Sequence, residues 1–138
     1  MDKRGFEIDS TPCLSCPYRK DVPSGVWEES EYQKLYDYDR DTPQQPHTLF
    51  MCHKNNGTSI CRGWWDCHGD QLLGMRLAIA KGLLSPSAMR SMYNDKLVPV
   101  FDSGEEAAEH GIRDIDDPSP EAIKAMRRIE GAKKRKFT

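Results

Sequence analysis

The sequence predicts a small, mainly helical α+β domain, stapled by a metal and carrying one short β-hairpin, and three observations lead there. All five cysteines fall in the first half of the 138 residues, beginning with the C-x2-C pair Cys13 and Cys16. The second half is dominated by apolar residues at helical spacing. The one β-compatible stretch, His47 to Cys52, runs into Asn55-Asn56-Gly57, a turn signal, before Ser59 to Trp65.

The N-terminal 26 residues hold three prolines and two glycines with no sustained period, and are expected to be irregular, ordered by something other than a ladder. From Trp27 to about Tyr38, Tyr32, Leu35 and Tyr36 fall at i, i+3 and i+4, which predicts a short amphipathic helix with an acidic outer face. The hairpin follows, with arms 47–52 and 59–65. Asp70 to Leu84 is the expected core helix, with Asp70 as N-cap and Leu73, Leu77, Ala80 and Leu84 on one face, flanked by Leu72, Met75 and Ile79.

Ser85-Pro86 starts another helix, running to about Tyr93, with serine as cap and proline where its missing N–H costs nothing. Lys96 to Phe101 is extended, and Pro99 confines it to an edge. Ser103-Gly104-Glu105-Glu106 matches a capping box, and Gly111 stands where a helix would end. A last helix starts at Ser119-Pro120, is spaced by Ile123, Met126 and Ile129, and frays into Lys133-Lys134-Arg135-Lys136. The expected organisation is therefore one metal-binding domain over residues 1–132 and a basic disordered tail over 133–138.

With 37% hydrophobic and 30% charged residues, the chain has room for one modest core. A mean hydropathy of −0.76 and the lack of any apolar run near the ~20 residues that cross a bilayer exclude a membrane-spanning helix. The first seven residues contain no signal-like hydrophobic region, so a reducing cytoplasm is the expected compartment. An odd number of cysteines there argues against a disulfide framework and for metal binding, redox chemistry or buried thiols. A net charge of −2 excludes a uniformly basic nucleic-acid binder.

Two residues between Cys13 and Cys16 bring both sulfurs to one side of a tight turn, so the pair is half of a metal site. Cys52 and Cys61, on the two arms of the hairpin, complete a four-cysteine set, with His53, Cys67 and His68 as second choices. Tetrahedral zinc suits four thiolates, or three with a histidine, and the histidines beside two of the cysteines favour it. An iron–sulfur cluster is the alternative, because it takes four cysteines too and Cys16-Pro17 places a proline directly after a ligand. Arg62, Arg19 and Lys20 are candidates to offset thiolate charge.

Several chemistries lack their residues. Pro12-Cys13-Leu14-Ser15-Cys16 matches half of the zinc deaminase signature, but every histidine follows Cys16 and no H-x-E occurs. Phosphate loops, dinucleotide fingerprints and H-E-x-x-H are absent. A small zinc enzyme stays open as a further alternative, with no catalytic residue marked. For partner binding, Trp64 and Trp65 form a candidate aromatic platform, one expected to pack over the knuckle and the other to be half exposed. Lys133, Lys134, Arg135 and Lys136 are candidate phosphate contacts.

The run from Cys13 through Cys16-Pro17-Tyr18-Arg19-Lys20-Asp21 to Trp27 resembles an uncharacterised family of short cysteine-containing proteins from actinomycetes and their phages. So do Phe50-Met51-Cys52-His53, Cys61-Arg62-Gly63-Trp64, Pro99 to Gly104 and Ala107 to Gly111. The similarity spans about residues 12 to 117. Its matching positions are Cys13, Cys16, Cys52, His53, Cys61, Gly63 and Trp64, with Cys67 less securely part of the pattern. The resemblance implies an intracellular actinobacterial or phage origin, in the latter case the host cytoplasm, and assigns no reaction. The expected function is thus a metal-stabilised, non-enzymatic accessory protein that binds a host protein or a nucleic acid. An iron–sulfur redox-responsive regulator is the alternative, although the cysteine order differs from that of WhiB-type regulators.

Overall fold

The computed structural model describes residues 5–52, 59–96 and 98–137, with side chains up to residue 130. In chain order the elements are β1 (Glu7–Ile8), α1 (Glu29–Gln33) running into a 3-10 turn over Lys34–Asp39, β2 (Ser59–Ile60), α2 (Arg62–His68), α3 (Leu73–Ala80), α4 (Pro86–Ser91), α5 (Gly104–Arg113) and α6 (Pro120–Phe137). The result is a small, mainly helical α+β domain. Among the described residues, no helix is long and apolar enough to cross a membrane.

The expected hairpin is present as a minimal antiparallel pairing. Met51 bridges Ile60, flanked by Cys52 N–H donating to Ser59 O at 2.7 Å and Cys61 N–H to Phe50 O at 2.9 Å. Its turn, including His53 and Asn55-Asn56-Gly57, lies outside the described residues. Two corrections follow. The N-terminal segment is not wholly irregular, since β1 pairs in parallel with β2, Glu7 with Ser59 and Ile8 with Ile60. The second hairpin arm ends at Cys61, because α2 begins at Arg62: Cys61 is extended, and its Sγ accepts the Trp64 N–H at 3.4 Å as the helix cap.

The α1 region buries Tyr32, Leu35 and Tyr38 rather than Tyr36. Tightening to a 3-10 turn after Gln33 gives three residues per turn and moves the buried stripe to every third position. Helix α3 starts at Leu73 with Asp70 in a preceding 3-10 turn, so Asp70 is not its cap. Its core face is Leu72, Met75 and Ala78, so the flanking Leu72 and Met75 are buried in place of Leu73, Leu77 and Ala80, and of the expected face only Leu84, beyond the helix, is buried.

Two caps agree with expectation: Ser85 Oγ accepts the Ala88 N–H at 3.0 Å and Ser103 Oγ accepts the Glu106 N–H at 3.1 Å. The capping box is not reciprocal, since Glu106 Oε1 takes the N–H of Asp102. Helix α5 continues through Gly111 to Arg113, and Gly111 instead lets the Tyr32 ring lie against the helix, where a Cβ would overlap it.

The extended segment near Val100 pairs with the chain beyond the cysteine knuckle: Phe101 N–H donates to Tyr18 O at 2.9 Å and Lys20 N–H to Pro99 O at 3.3 Å. Helix α6 packs Ala122, Ala125 and Ile129 on Val22 and Val26 in a small second cluster, while Ile123, expected on that face, is 38% exposed. Its backbone is helical through Phe137. Lysine and arginine are good helix formers, and cations suit the negative end of the helix dipole.

Candidate metal centre

The Cys13–Cys16 knuckle is a tight turn closed by Cys16 N–H to Cys13 O at 3.0 Å and continued by Arg19 N–H to Cys16 O at 3.1 Å. Trp27 Nε1 donates to Ser15 O at 2.7 Å, which pins the knuckle from α1's side. The β1–β2 ribbon and the cap of α2 bring Cys52 and Cys61 to the same place. Cys16 and Cys61 lie with their sulfurs 3.7 Å apart, and the Cys52 thiol is hydrogen-bonded to Cys13. Cys16, Cys52 and Cys61 are buried and Cys13 is half-buried. These are the four first-choice positions.

Glycine at position 63 is what permits this approach. A Cβ there would overlap Cys16 Sγ and press on Tyr18 Cβ, so any larger residue would push the knuckle off the first turn of α2.

The four thiols are electrostatically unequal. Cys52 donates its S–H to Cys13, which holds the Cys13 pKa below the usual thiol value. The same bond, with burial behind it, drives Cys52 far up. Cys61 is also raised, by its hydrogen bond with Cys16 and by burial. Asp9, whose carboxylate is held by Ser59 Oγ at 2.7 Å, stands beside Cys13 and Cys52 and opposes their ionisation. Crowded acidic groups disfavour further negative charge, and a bound cation reverses that logic. Among the described residues, no group of three or more His, Cys, Asp or Glu side chains is disposed to hold a metal ion.

The second-choice residues lie elsewhere. Cys67 is half-buried among Asp39, Asp102 and Glu106, and burial pushes its thiol up to about 12. His68 turns into the core, with Nε2 3.4 Å from Tyr18 Oη and Nδ1 4.0 Å from Asp39 Oδ1. His53 falls outside the described residues. Of the cations expected to offset thiolate charge, Arg62 points away: it pairs with Asp66 at 2.9 Å and donates to the carbonyls of Ser91, Met92 and Asn94. Arg19 stays close, its Nη1 on Pro12 O at 3.0 Å.

Trp64 and Trp65 are not a surface platform. Trp64 is 0% and Trp65 6% exposed, since helix α2 turns one indole onto Tyr38 and Phe50 and the other onto α4, where Trp65 Nε1 donates to Met92 O at 2.7 Å. Lys133, Lys134, Arg135 and Lys136 belong to the last turns of α6, and their side chains are outside those described. The sequence reading missed Asp9, the Arg62–Asp66 clamp and the role of His68. The i,i+4 spacing of Arg62 and Asp66 was the available signal, legible once a helix is placed there.

Burial also sets a pH dependence. Desolvation lowers the His68 pKa against a smaller upward pull from Asp39. The folded state therefore resists the proton that the unfolded imidazole accepts near 6.5. Its contribution to stability is whole above that value and declines as pH falls below it toward the folded pKa. Denaturant titrations at about pH 7.5 and 5.5 should show the His68→Gln variant losing less stability on acidification than the parent; an equal loss would refute the assignment.

No curated protein and no solved structure matches the chain at a significant level. The model of a family of unknown function, DUF6283, matches residues 8–128, a span that contains all four clustered thiols, every helix from α1 to α5 and the first half of α6. The chain belongs to this family.

Proposed function

We propose that Cys13, Cys16, Cys52 and Cys61 hold one zinc ion, that this ion is structural, and that the protein is a non-enzymatic binding module. The observation that carries the reading is the 3.7 Å separation of Cys16 and Cys61 sulfurs, with Cys13 and Cys52 paired beside them. Two thiolates at Zn–S distances of about 2.3 Å and a tetrahedral angle stand ~3.8 Å apart. Four protein ligands fill a tetrahedral ion and leave no position for a reacting water.

An ion here ties the N-terminal arm, the β-ribbon and the cap of α2 together, in a domain whose two-residue strands contribute little by themselves. Free thiols suit a reducing compartment such as the cytoplasm, and the resemblance to actinobacterial and phage proteins supports an accessory role there, bound to a host protein or a nucleic acid. Four cysteines also suit one second reading, an iron–sulfur cluster, which would make the protein a redox-responsive regulator.

Metal analysis and an absorption spectrum on protein purified without oxygen separate the two. About one zinc per chain and no visible band is the expected result. Iron with sulfide and a band near ~400 nm selects the cluster, and protein that takes up neither overturns both.

A further inference from the structure

We propose that the thiol centre is a peroxide-responsive switch, in which oxidation joins Cys13 to Cys52 and Cys16 to Cys61 as disulfides. The inference rests on the four thiols acting as one centre, as the proposed zinc site requires, and gives that centre a means of releasing its ion.

The pairing is set by what each sulfur touches. Within the C-x2-C turn the two sulfurs engage different partners. Cys16 Sγ is 3.7 Å from Cys61 Sγ, 45 residues further on, and it lies so close to the first turn of α2 that a Cβ on Gly63 would overlap it. Cys13 is hydrogen-bonded to the Cys52 thiol, and Cys52 is itself held by its N–H on Ser59 O at 2.7 Å. Both links therefore leave the knuckle, and neither is the short link within a C-x2-C pair that disulfide oxidoreductases use. They tie the same elements as the ion: the N-terminal arm to the hairpin, and the knuckle to the cap of α2.

Exposure sets the order. Cys13 is half-buried, whereas Cys16, Cys52 and Cys61 are buried. The oxidant thus enters at Cys13, a reachable thiol beside a resolving one, which is the arrangement of redox-sensing cysteines. Hydrogen peroxide is small and uncharged, and needs no docking surface. The Cys13 sulfur attacks one peroxide oxygen and the O–O bond breaks, leaving a sulfenic acid on Cys13 and, with the thiol proton, one water. The Cys52 sulfur then displaces that hydroxyl, which leaves with the Cys52 proton as a second water as the S–S bond forms. One peroxide has accepted two electrons and two protons. Cys16 and Cys61 react by the same steps with a second peroxide, more slowly because both are buried. The thiolate is the metal ligand, so each link removes two ligands from the ion. Cys67 is acted on by burial and by Asp39 and Asp102 rather than by the other cysteines, and stays reduced.

The test is peptide mapping without reduction, after graded hydrogen peroxide, of the full chain both as purified without oxygen and after chelation. Trypsin leaves Cys13 and Cys16 on one peptide, because no Lys or Arg lies between them, and puts Cys52, Cys61 and Cys67 on three others. The expected result is the knuckle peptide joined first to that of Cys52 and then also to that of Cys61, with Cys67 free and bound metal lost in step. Chymotryptic cleavage after Leu14 should then assign Cys13 to Cys52 and Cys16 to Cys61. A Cys13–Cys16 or Cys52–Cys61 link, the Cys61 peptide joining first, or sulfinic and sulfonic acids without disulfides would each overturn the proposal. So would links that form only after chelation of a metal-loaded chain, since the switch must act on the occupied centre. Metal content before peroxide is added keeps the two readings apart. A chain that binds no metal but forms both links refutes the zinc site alone, and one that holds zinc but forms other links refutes the switch alone.

Discussion

Cys16→Ala is expected to lose metal affinity by more than about 100-fold, beyond the 10- to 100-fold typical of losing a residue that only supports a ligand, and to melt well below the parent. Cys16 is the hub of the cluster: it is 1% exposed, it is in contact with Cys61 at 3.7 Å, and its turn positions Cys13. A structural zinc supplies an apparent 10 to 16 kcal/mol at neutral pH, strongly dependent on pH, against a typical domain stability of about 5 to 15 kcal/mol. On the proposed zinc site, losing the Cys16 thiolate would therefore remove a share comparable to the whole margin. The part that should loosen first is the knuckle, with β1 and the segment that pairs with Val100.

Cys67→Ala is the control. Its thiol is half-buried and is raised by burial and by the charges of Asp39 and Asp102 rather than by the other cysteines, so the variant should keep the parent's metal stoichiometry. Metal analysis after dialysis and a thermal melt check both. A Cys16→Ala protein with the parent's metal content and melting curve would end the site assignment, and so would a Cys67→Ala protein that lost its metal.

Arg62→Met is expected to cost about 3 to 5 kcal/mol, or roughly 10 to 20 °C in melting temperature for a domain of this size. The guanidinium and the Asp66 carboxylate are 1% and 2% exposed, and the remaining donors reach carbonyls at the end of α4. Methionine replaces the stem but leaves Asp66 charged and buried without its partner, and strips those carbonyls of their donors. The loss should be partly recovered in Arg62→Met/Asp66→Leu, because replacing both ends of a buried pair removes the stranded charge. Denaturant unfolding of the three proteins measures it. A single variant within about 1 kcal/mol of the parent would show the pair to be dispensable, and a double variant no better than the single would assign the cost to the lost carbonyl bonds.

These two sites differ in how legible they were. The C-x2-C turn is local geometry, and the Met51–Ile60 pairing follows from β-compatible runs either side of a turn signal, so the four thiols could be proposed as one set from spacing alone. The Arg62–Asp66 clamp was not, because its legibility depends on α2, and the sequence there reads equally as the outgoing arm of a hairpin. What ends the strand is Cys61, whose sulfur caps the helix, a role that thiols seldom signal in sequence.

The same limit explains the apolar faces. Helix α3 has leucines on more than one side, and periodicity does not choose between them. The choice is made by Gly74, where the backbone of residue 48 approaches so closely that a Cβ would overlap the Thr48 carbonyl; this turns Leu72, Met75 and Ala78 inward. Trp64 and Trp65 show the converse: their size marked them as important, but only the helical turn from Arg62 put both in the core. The sequence by itself determined the small, mainly helical α+β class and the caps at Ser85 and Ser103, because helical periodicity and a serine cap rest on contacts within a few residues. Which helix face is buried and where the β-ribbon ends were decided by tertiary structure, since each depends on what packs opposite from far along the chain.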